Sequence, residues 1–261
     1  MLRRILAHHI APHVLFAALR DFSLSLRFRI IHRTFDGLAE RKPALMMAQI
    51  RCRREILTVA TAENEALIVI DVQNDFCPGG ALAVAEGDQI VPRVNQLIEA
   101  HAHVVLTQDW HPKGHSSFAS SHAGKVPFES IEVDYGQQTL WPDHCVQGTD
   151  GAAFHADLAW TKAALIIRKG FRPGIDSYSA FYENDRETPT GLAGYLRERG
   201  FTHLTLVGLA TDYCVGYSAL DARRLGFATS VRLEACRGID LRGSLQKALA
   251  EMQSAGVILT A

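Results

Sequence analysis

From Glu65 to Ala261 the sequence predicts an α/β protein with a doubly wound, mainly parallel sheet. Two observations support this fold class. Short, almost continuous apolar runs recur along the chain, as is typical of strands buried on both faces of a sheet. Segments with helical periodicity separate these runs, and this alternation is typical of parallel sheets. The periodicity gives the fold class but not the strand order.

Each strand is predicted from one apolar run, and the first is Ala66-Leu67-Ile68-Val69-Ile70, which ends at Asp71. The other strong runs cover residues 103–107, 164–168 and 203–207, and weaker runs cover residues 228–233 and 257–259. Helices are predicted over residues 88–101, 191–199, 213–225 and 242–255. The last three helices are followed by Gly200, Gly226 and Gly256, and glycine is a common residue just past a helix end.

Residues 1–64 are interpreted as a basic, irregular N-terminal extension. Residues 1–60 hold eleven Lys or Arg and four Asp or Glu, a balance of +7, whereas residues 61–261 hold sixteen and twenty-four, a balance of −8. Three interpretations of this segment stay open. It could be a flexible extension translated from a start codon upstream of Met46 or Met47, an organelle transit peptide, or a small accessory helical module.

Composition limits the partners and the location. The net charge of −1 gives no case for binding nucleic acid or an anionic membrane. No apolar run of about eighteen residues occurs, so a membrane-spanning helix is not expected. Five cysteines form an odd set without disulfide-framework spacing. Reduced thiols in a cytoplasmic protein are the simplest interpretation.

Ionisable residues follow four of the predicted strands. Asp71, Asp109, Lys169 and Cys214 each come just after an apolar run. Ligands of open parallel sheets bind beyond the carboxyl ends of the strands, so these side chains are expected to converge on one crevice. The loop from Trp110 to Thr161 is too long for an ordinary connection and is rich in His and Trp, which favours a function.

Cys214 lies between a predicted strand and a predicted helix. A thiol at a helix N-terminus sits in a positive potential that lowers its pKa, and Thr211 or Asp212 could cap that helix. Asp71 could accept the thiol proton, and Lys169 could fix that carboxylate. The alternatives are a small buried cysteine, a turn-capping acid and a lysine that reaches solvent.

Asp109, His111 and His144 suggest a metal site. Asp109 and His111 leave the same strand one residue apart, and His144 lies in a Pro-containing turn. One carboxylate and two imidazoles suit zinc, iron or manganese with open positions. His115 could be a fourth ligand or could support the others. For each histidine taken alone, an ordinary surface residue is the alternative.

These residues belong to longer stretches that resemble the isochorismatase-like cysteine hydrolases, and within them the bacterial nicotinamidases. The matching stretches are 70–76 with 78–80, 107–112 with His115 and 117–119, 141–146, 169–170 and 208–215. The resemblance covers the C-terminal portion from about residue 65, roughly three quarters of the chain. Tyr213 departs from some relatives, and residues 1–60 have no counterpart in typical bacterial members.

The resemblance implies a six-stranded sheet with helices on both faces and a set of site residues. Asp71, Lys169 and Cys214 would be the catalytic triad, and the N–H groups of Ala210 and Cys214 would form the oxyanion hole, with a cis peptide between Leu209 and Ala210. Phe76 and Trp141 would line the ring-binding slot. The metal ligands would be Asp109, His111 and His144, holding one divalent ion, with zinc as the first choice and iron or manganese as alternatives.

The activity implied by the resemblance is hydrolysis of nicotinamide to nicotinate and ammonia in NAD salvage, with pyrazinamide as a further substrate. Oligomers are common in the family, so a homo-oligomer is compatible with it. The metal motif argues against related carbamoyl-amide and ureidoacrylate hydrolases, and Cys214 argues against isochorismatases proper. Two other hypotheses stay open: a different small-amide hydrolase on the same triad, and a non-catalytic zinc-binding or scaffold protein.

Overall fold

The computed structural model describes residues 63–261. The predicted extension over residues 1–64 therefore lies outside the described residues, except for its last two positions. The strands are β1 (Glu65–Ile70), β2 (Val104–Asp109), β3 (Ser130–Val133), β4 (Gly136–Thr139), β5 (Leu165–Lys169), β6 (His203–Leu209), β7 (Ala228–Arg237) and β8 (Ile258–Thr260). The α-helices are α1 (Val91–Ala100), α2 (Leu192–Glu198), α3 (Gly216–Arg224) and α4 (Ser244–Ser254).

Six strands form one sheet in the order β5-β2-β1-β6-β7-β8, and every neighbouring pair is parallel. The apolar runs predicted these six strands, with small shifts at their ends. The doubly wound, six-stranded fold is therefore confirmed. The order reverses beside β1, since the chain moves from β1 outward to β2 and β5 and then returns to β6. Such a reversal opens a crevice at the carboxyl ends of the central strands.

The side chains of β1 alternate between two apolar cores, one on each face of the sheet. Leu67 and Val69 pack with α1, whose Val94 and Ile98 are fully buried. The opposite core receives Ala66, Ile68 and Ile70 of β1 and, from the helices, Leu192, Leu196, Ala219, Ala222 and Met252. A strand buried on both faces explains why β1 reads as an uninterrupted apolar run.

The structure differs from the sequence prediction in four places. Residues 87–90 form a 3-10 turn before α1, and residues 241–243 form another before α4. Residues 211–215 form a single wide π turn before α3 rather than its first α-helical turn. The long loop also contains an antiparallel hairpin, β3–β4, which was not predicted because its strands are short and mostly polar. Among the described residues, no helix has the length and apolar character needed to span a membrane.

Candidate active site

Of the four ionisable residues at the strand ends, Lys169 lies at the centre, and the other three surround its ammonium group. Lys169 Nζ lies 2.8 Å from Asp71 Oδ2, 3.1 Å from Asp109 Oδ1 and 3.5 Å from Cys214 Sγ. It also donates to the Ser177 carbonyl at 2.9 Å. Asp109 and Lys169 are directly paired across β2 and β5, so the strand register itself brings this acid and base together. All four side chains are buried.

Burial and the charges inside this cluster together set the pKa values of its members. Burial opposes the charge on Lys169, but Asp109 and Asp71 hold its pKa well above the ordinary value. Burial raises the pKa of Asp71, against the opposing charge of Lys169. Burial likewise raises the pKa of Cys214 well above its ordinary value, and Lys169 opposes this only in part. The lowered thiol pKa expected from the helix start is therefore wrong, because burial and two nearby carboxylates outweigh it.

The expected capping of the helix by Thr211 or Asp212 is also wrong, since neither side chain caps the turn. The buried Asp212 carboxylate turns to another segment instead. It accepts the N–H groups of Ile239 and Asp240 at 2.9 and 2.8 Å and the Ser244 hydroxyl. These bonds tie the turn that carries Cys214 to the segment that carries Ile239.

Asp109, His111 and His144 place their ligand atoms within 4.8 Å of one another. His111 Nε2 lies 3.0 Å, and His144 Nε2 3.4 Å, from Asp109 Oδ2. Each ring donates its other nitrogen to a carbonyl, since His111 Nδ1 is 2.8 Å from Gly170 O and His144 Nδ1 is 2.8 Å from Pro142 O. This fixes the tautomer and leaves each Nε2 lone pair free for a metal, so the group fits one divalent ion.

His115 has no nitrogen left for that ion. Its Nε2 faces the carbonyl oxygens of Arg172 and Ile175 at 2.8 and 3.2 Å, so this nitrogen carries the proton. Its Nδ1 accordingly accepts from Ser117 at 2.8 Å. The ring packs 4.4 Å from the His111 ring. The geometry therefore favours His115 as a residue that packs against the ligand His111, rather than as a fourth metal ligand.

An aromatic-walled cavity adjoins Cys214. Its walls include Phe76, Leu82, Trp141, Tyr178, Tyr213 and Ile239, and Asp109, His144, Asp176 and Ala210 also reach it. The Trp141 indole N–H donates to the Tyr178 hydroxyl at 3.2 Å, and the Trp141 ring meets the Tyr213 ring edge-on at 4.9 Å. The peptide between Leu209 and Ala210 is cis, as the resemblance implies. The structure thus brings together every site residue that the sequence suggested.

Two buried polar residues of this region were missed. Asp176 lines the cavity 3.9 Å from His111 Nε2 and accepts from Gln138 of the hairpin at 2.8 Å. Thr107 hydrogen-bonds to Asp71 from within β2. Asp176 lies in an irregular loop, and Thr107 is one residue of an apolar run. Local sequence carried no signal for either, because both depend on contacts between distant segments.

The chain belongs to the isochorismatase family of hydrolases, since residues 65–261 match the model described as the Isochorismatase domain. Within that family it is similar to the nicotinamidase of Acinetobacter baylyi, with 56% identity over 201 residues, covering 77% of this chain and 94% of that protein. A solved nicotinamidase/pyrazinamidase of Acinetobacter baumannii superimposes with a TM-score of 0.75 and 59% identity, covering 76% of this chain and 95% of that one.

A third relative was crystallised with a metal. The pyrazinamidase of Pyrococcus horikoshii in complex with zinc has a TM-score of 0.61 and 40% identity, covering 76% of this chain and 98% of that one. The resemblance inferred from the sequence motifs is confirmed. The family match begins at residue 65, so it does not include the predicted N-terminal extension over residues 1–64.

Proposed function

We propose that this chain is an amidohydrolase that converts nicotinamide to nicotinate and ammonia, in the salvage of the pyridine ring for NAD, and that it also deamidates pyrazinamide. The observation that supports this most strongly is the position of Lys169 Nζ, 2.8 Å from Asp71 Oδ2 and 3.5 Å from Cys214 Sγ, beside the Asp109, His111 and His144 group. The names of the similar proteins agree with this substrate class.

The reaction begins with transfer of the Cys214 proton to Asp71 as the sulfur attacks the carboxamide carbon. The carbonyl oxygen becomes an oxyanion, and the N–H groups of Ala210 and Cys214 are the proposed donors to it. Asp71 then gives the proton to the departing ammonia, which leaves a thioester on Cys214. Water then attacks the thioester carbon, the C–S bond breaks, and one proton of the water returns to the Cys214 sulfur as nicotinate and the second proton are released. Forming a covalent acyl-enzyme divides amide hydrolysis into two easier steps.

Lys169 keeps Asp71 and Asp109 in place, and its positive charge offsets the charges of these carboxylates. Phe76 and Trp141 are the proposed walls against which the pyridine ring packs. A divalent ion held by Asp109, His111 and His144 would bind the pyridine nitrogen and fix the ring orientation. Zinc is the first choice for that ion, with iron or manganese as alternatives, and the zinc complex of the Pyrococcus relative supports zinc. Homo-oligomer formation and a cytoplasmic location stay predictions.

The test is ammonia release from nicotinamide, pyrazinamide and a panel of other small amides, with metal analysis of the same sample. Cys214→Ala should lower kcat with nicotinamide by at least about a thousandfold, because the nucleophile is lost. Cys236→Ala is the matched control. It removes another buried thiol, one that does not line the cavity.

If the wild-type protein does not hydrolyse nicotinamide but hydrolyses another amide, the proposed substrate is wrong and the proposed reaction class, amide hydrolysis, is retained. Full activity of Cys214→Ala would disprove the nucleophile. A protein inactive on every amide, with Cys214 also unreactive toward iodoacetamide, would instead favour a non-catalytic zinc-binding role.

A further inference from the structure

We propose that Thr107 is a positioning residue, which determines that Oδ2 rather than Oδ1 of Asp71 exchanges the proton with Cys214. This inference deepens the proposed function and depends on it for the role of Asp71 as the base. Thr107 lies on β2, next to the end of β1, and its side chain is completely buried.

The Thr107 hydroxyl makes two hydrogen bonds with Asp71. Its oxygen accepts the Asp71 backbone N–H at 3.2 Å, and the hydroxyl donates to Asp71 Oδ1 at 2.6 Å. An N–H can only donate, so the hydroxyl oxygen is the acceptor in the first bond and its hydrogen is free for the carboxylate. The two bonds therefore hold the backbone and the side chain of Asp71 to a single anchor, at a residue whose φ is 47°.

The two carboxylate oxygens of Asp71 consequently differ. Oδ1 is occupied as the acceptor of the Thr107 hydroxyl. Apart from the Lys169 ammonium 2.8 Å away, Oδ2 has no hydrogen-bond partner among residues 63–261. Lys169 Nζ in turn lies 3.5 Å from Cys214 Sγ, so a single ammonium contacts both Oδ2 and the reacting sulfur.

This difference directs the proton. When the S–H bond breaks, its electron pair forms the bond to the carboxamide carbon, and the proton forms an O–H bond at Oδ2. The Thr107 bond to Oδ1 stays intact throughout. Protonation at Oδ1 would set two hydrogens against each other, so the hydroxyl would have to turn away. The proton held on Oδ2 is then in place to pass to the nitrogen of the departing ammonia.

A purely structural role for Thr107 is the competing explanation, and the chain contains a matched control for it. Thr205 is also a buried threonine on a central strand, and its hydroxyl also donates to a carboxylate, that of Glu65. Glu65 is the first residue of β1, so it lies at the amino ends of the strands, whereas Cys214 lies beyond their carboxyl ends. Loss of the Thr205 hydroxyl therefore measures how much a buried threonine-to-carboxylate hydrogen bond matters for folding and activity when it lies outside the site.

The experiment compares Thr107→Val, Thr107→Ser and Thr205→Val in the full chain loaded with zinc. Valine keeps the shape of threonine and removes the hydroxyl. We expect Thr107→Val to lower kcat by about tenfold or more, because proton transfer is misdirected, with KM changed by less than about twofold. Serine restores the hydroxyl and should recover most of kcat, and Thr205→Val should retain it. If the valine variant does not fold, Thr107→Ser and Thr107→Ala provide the same comparison, since they differ only by the hydroxyl.

A second measurement needs no substrate. The rate of Cys214 alkylation by iodoacetamide, followed by mass spectrometry of its peptide, should fall in Thr107→Val and not in Thr107→Ser. A merely loosened site would raise this rate, and that result would overturn the proposal. An unchanged kcat in Thr107→Val, or an equal loss in Thr205→Val, would overturn it too. If the wild-type protein does not hydrolyse nicotinamide, the proposed function fails and the alkylation rates alone decide the role of Thr107.

Discussion

At the scale of single residues, burial favours the neutral thiol form of Cys214 over the thiolate. Burial raises the pKa of both Cys214 and Asp71, while Lys169 stays charged beside them. The raised pKa makes the Asp71 carboxylate a stronger base toward the thiol proton. The thiol proton therefore moves only when the sulfur attacks, and the cluster never has to hold a free thiolate beside two carboxylates.

Gly170 lies directly against two of the proposed metal ligands, His111 and Asp109. It has a φ of 66°, and an added Cβ would lie 2.5 Å from His111 Cε1 and 2.9 Å from Asp109 Oδ1. We expect Gly170→Ala to push both ligands apart and to lower the metal affinity by about tenfold or more. Competition with a fluorescent zinc chelator measures this affinity.

Gly174→Ala is the control for that substitution. Gly174 belongs to the same loop, and a Cβ there would meet no atom within 4 Å. The control should bind zinc like the wild type. Unaltered affinity in Gly170→Ala would show that the ligands lie further from this backbone than the structure indicates.

At the scale of elements, sequence reasoning succeeded where a side chain terminates a buried strand. Asp71, Asp109 and Lys169 stand at the change from an apolar run to a loop, and parallel strands bring such ends to one edge. It failed for Thr107, because a residue inside a run reads as core. It failed for Asp176 as well, because Gln138 of the unpredicted hairpin holds that carboxylate in place. Local periodicity contains no information on contacts of this kind.

The end of α1 and the start of β1 are joined by His101 and Glu65. The His101 ring donates to Leu97 O at 2.7 Å, and its Nε2 lies 3.8 Å from Glu65 Oε1. The His101 ring lowers the pKa of Glu65 below its ordinary 4.5, and Glu65 raises the pKa of His101 above its ordinary 6.5. The carboxylate contribution is lost as the pH falls through the folded pKa of Glu65. The imidazolium contribution is lost as the pH rises through the folded pKa of His101.

The pair should therefore stabilise the fold most between pH 4.5 and 6.5. We expect His101→Gln to lower the free energy of unfolding by up to about 1 kcal/mol near pH 5.5 and by less near pH 8. Urea unfolding at both pH values measures it. In a Glu65→Gln background the pH-dependent difference should vanish, and its persistence would assign the effect to another partner of His101.

At the scale of the whole molecule, the metal group connects the central sheet to the long loop. Asp109 ends β2, whereas His144 belongs to the loop that follows it. A ligand that binds only the folded state stabilises it, by about 4 kcal/mol at a thousandfold excess over Kd. For a domain of this size that corresponds to a rise in Tm of about 10 °C.

Removal of the ion with a chelator should lower Tm by roughly that amount, and added zinc should restore it. Differential scanning fluorimetry makes the measurement. Asp109→Asn replaces a charged carboxylate ligand with a neutral amide, so its Tm should respond weakly to chelator and to zinc. An equal response in this variant would place the stabilising ion elsewhere in the protein.

The strand order also limits how early the centre of the sheet can assemble as the chain is made. β1 pairs with β6 from Glu65 opposite His203 to Ile70 opposite Gly208, so the centre of the sheet joins segments that are far apart in the chain. Pairing over such separations is slow, because a large loop must close first. A ribosome delivers the base, the metal ligands and the lysine before it delivers Cys214. Among the proposed catalytic residues and metal ligands, the nucleophile is therefore the last to be synthesised, whereas the cavity wall at Ile239 is made after it.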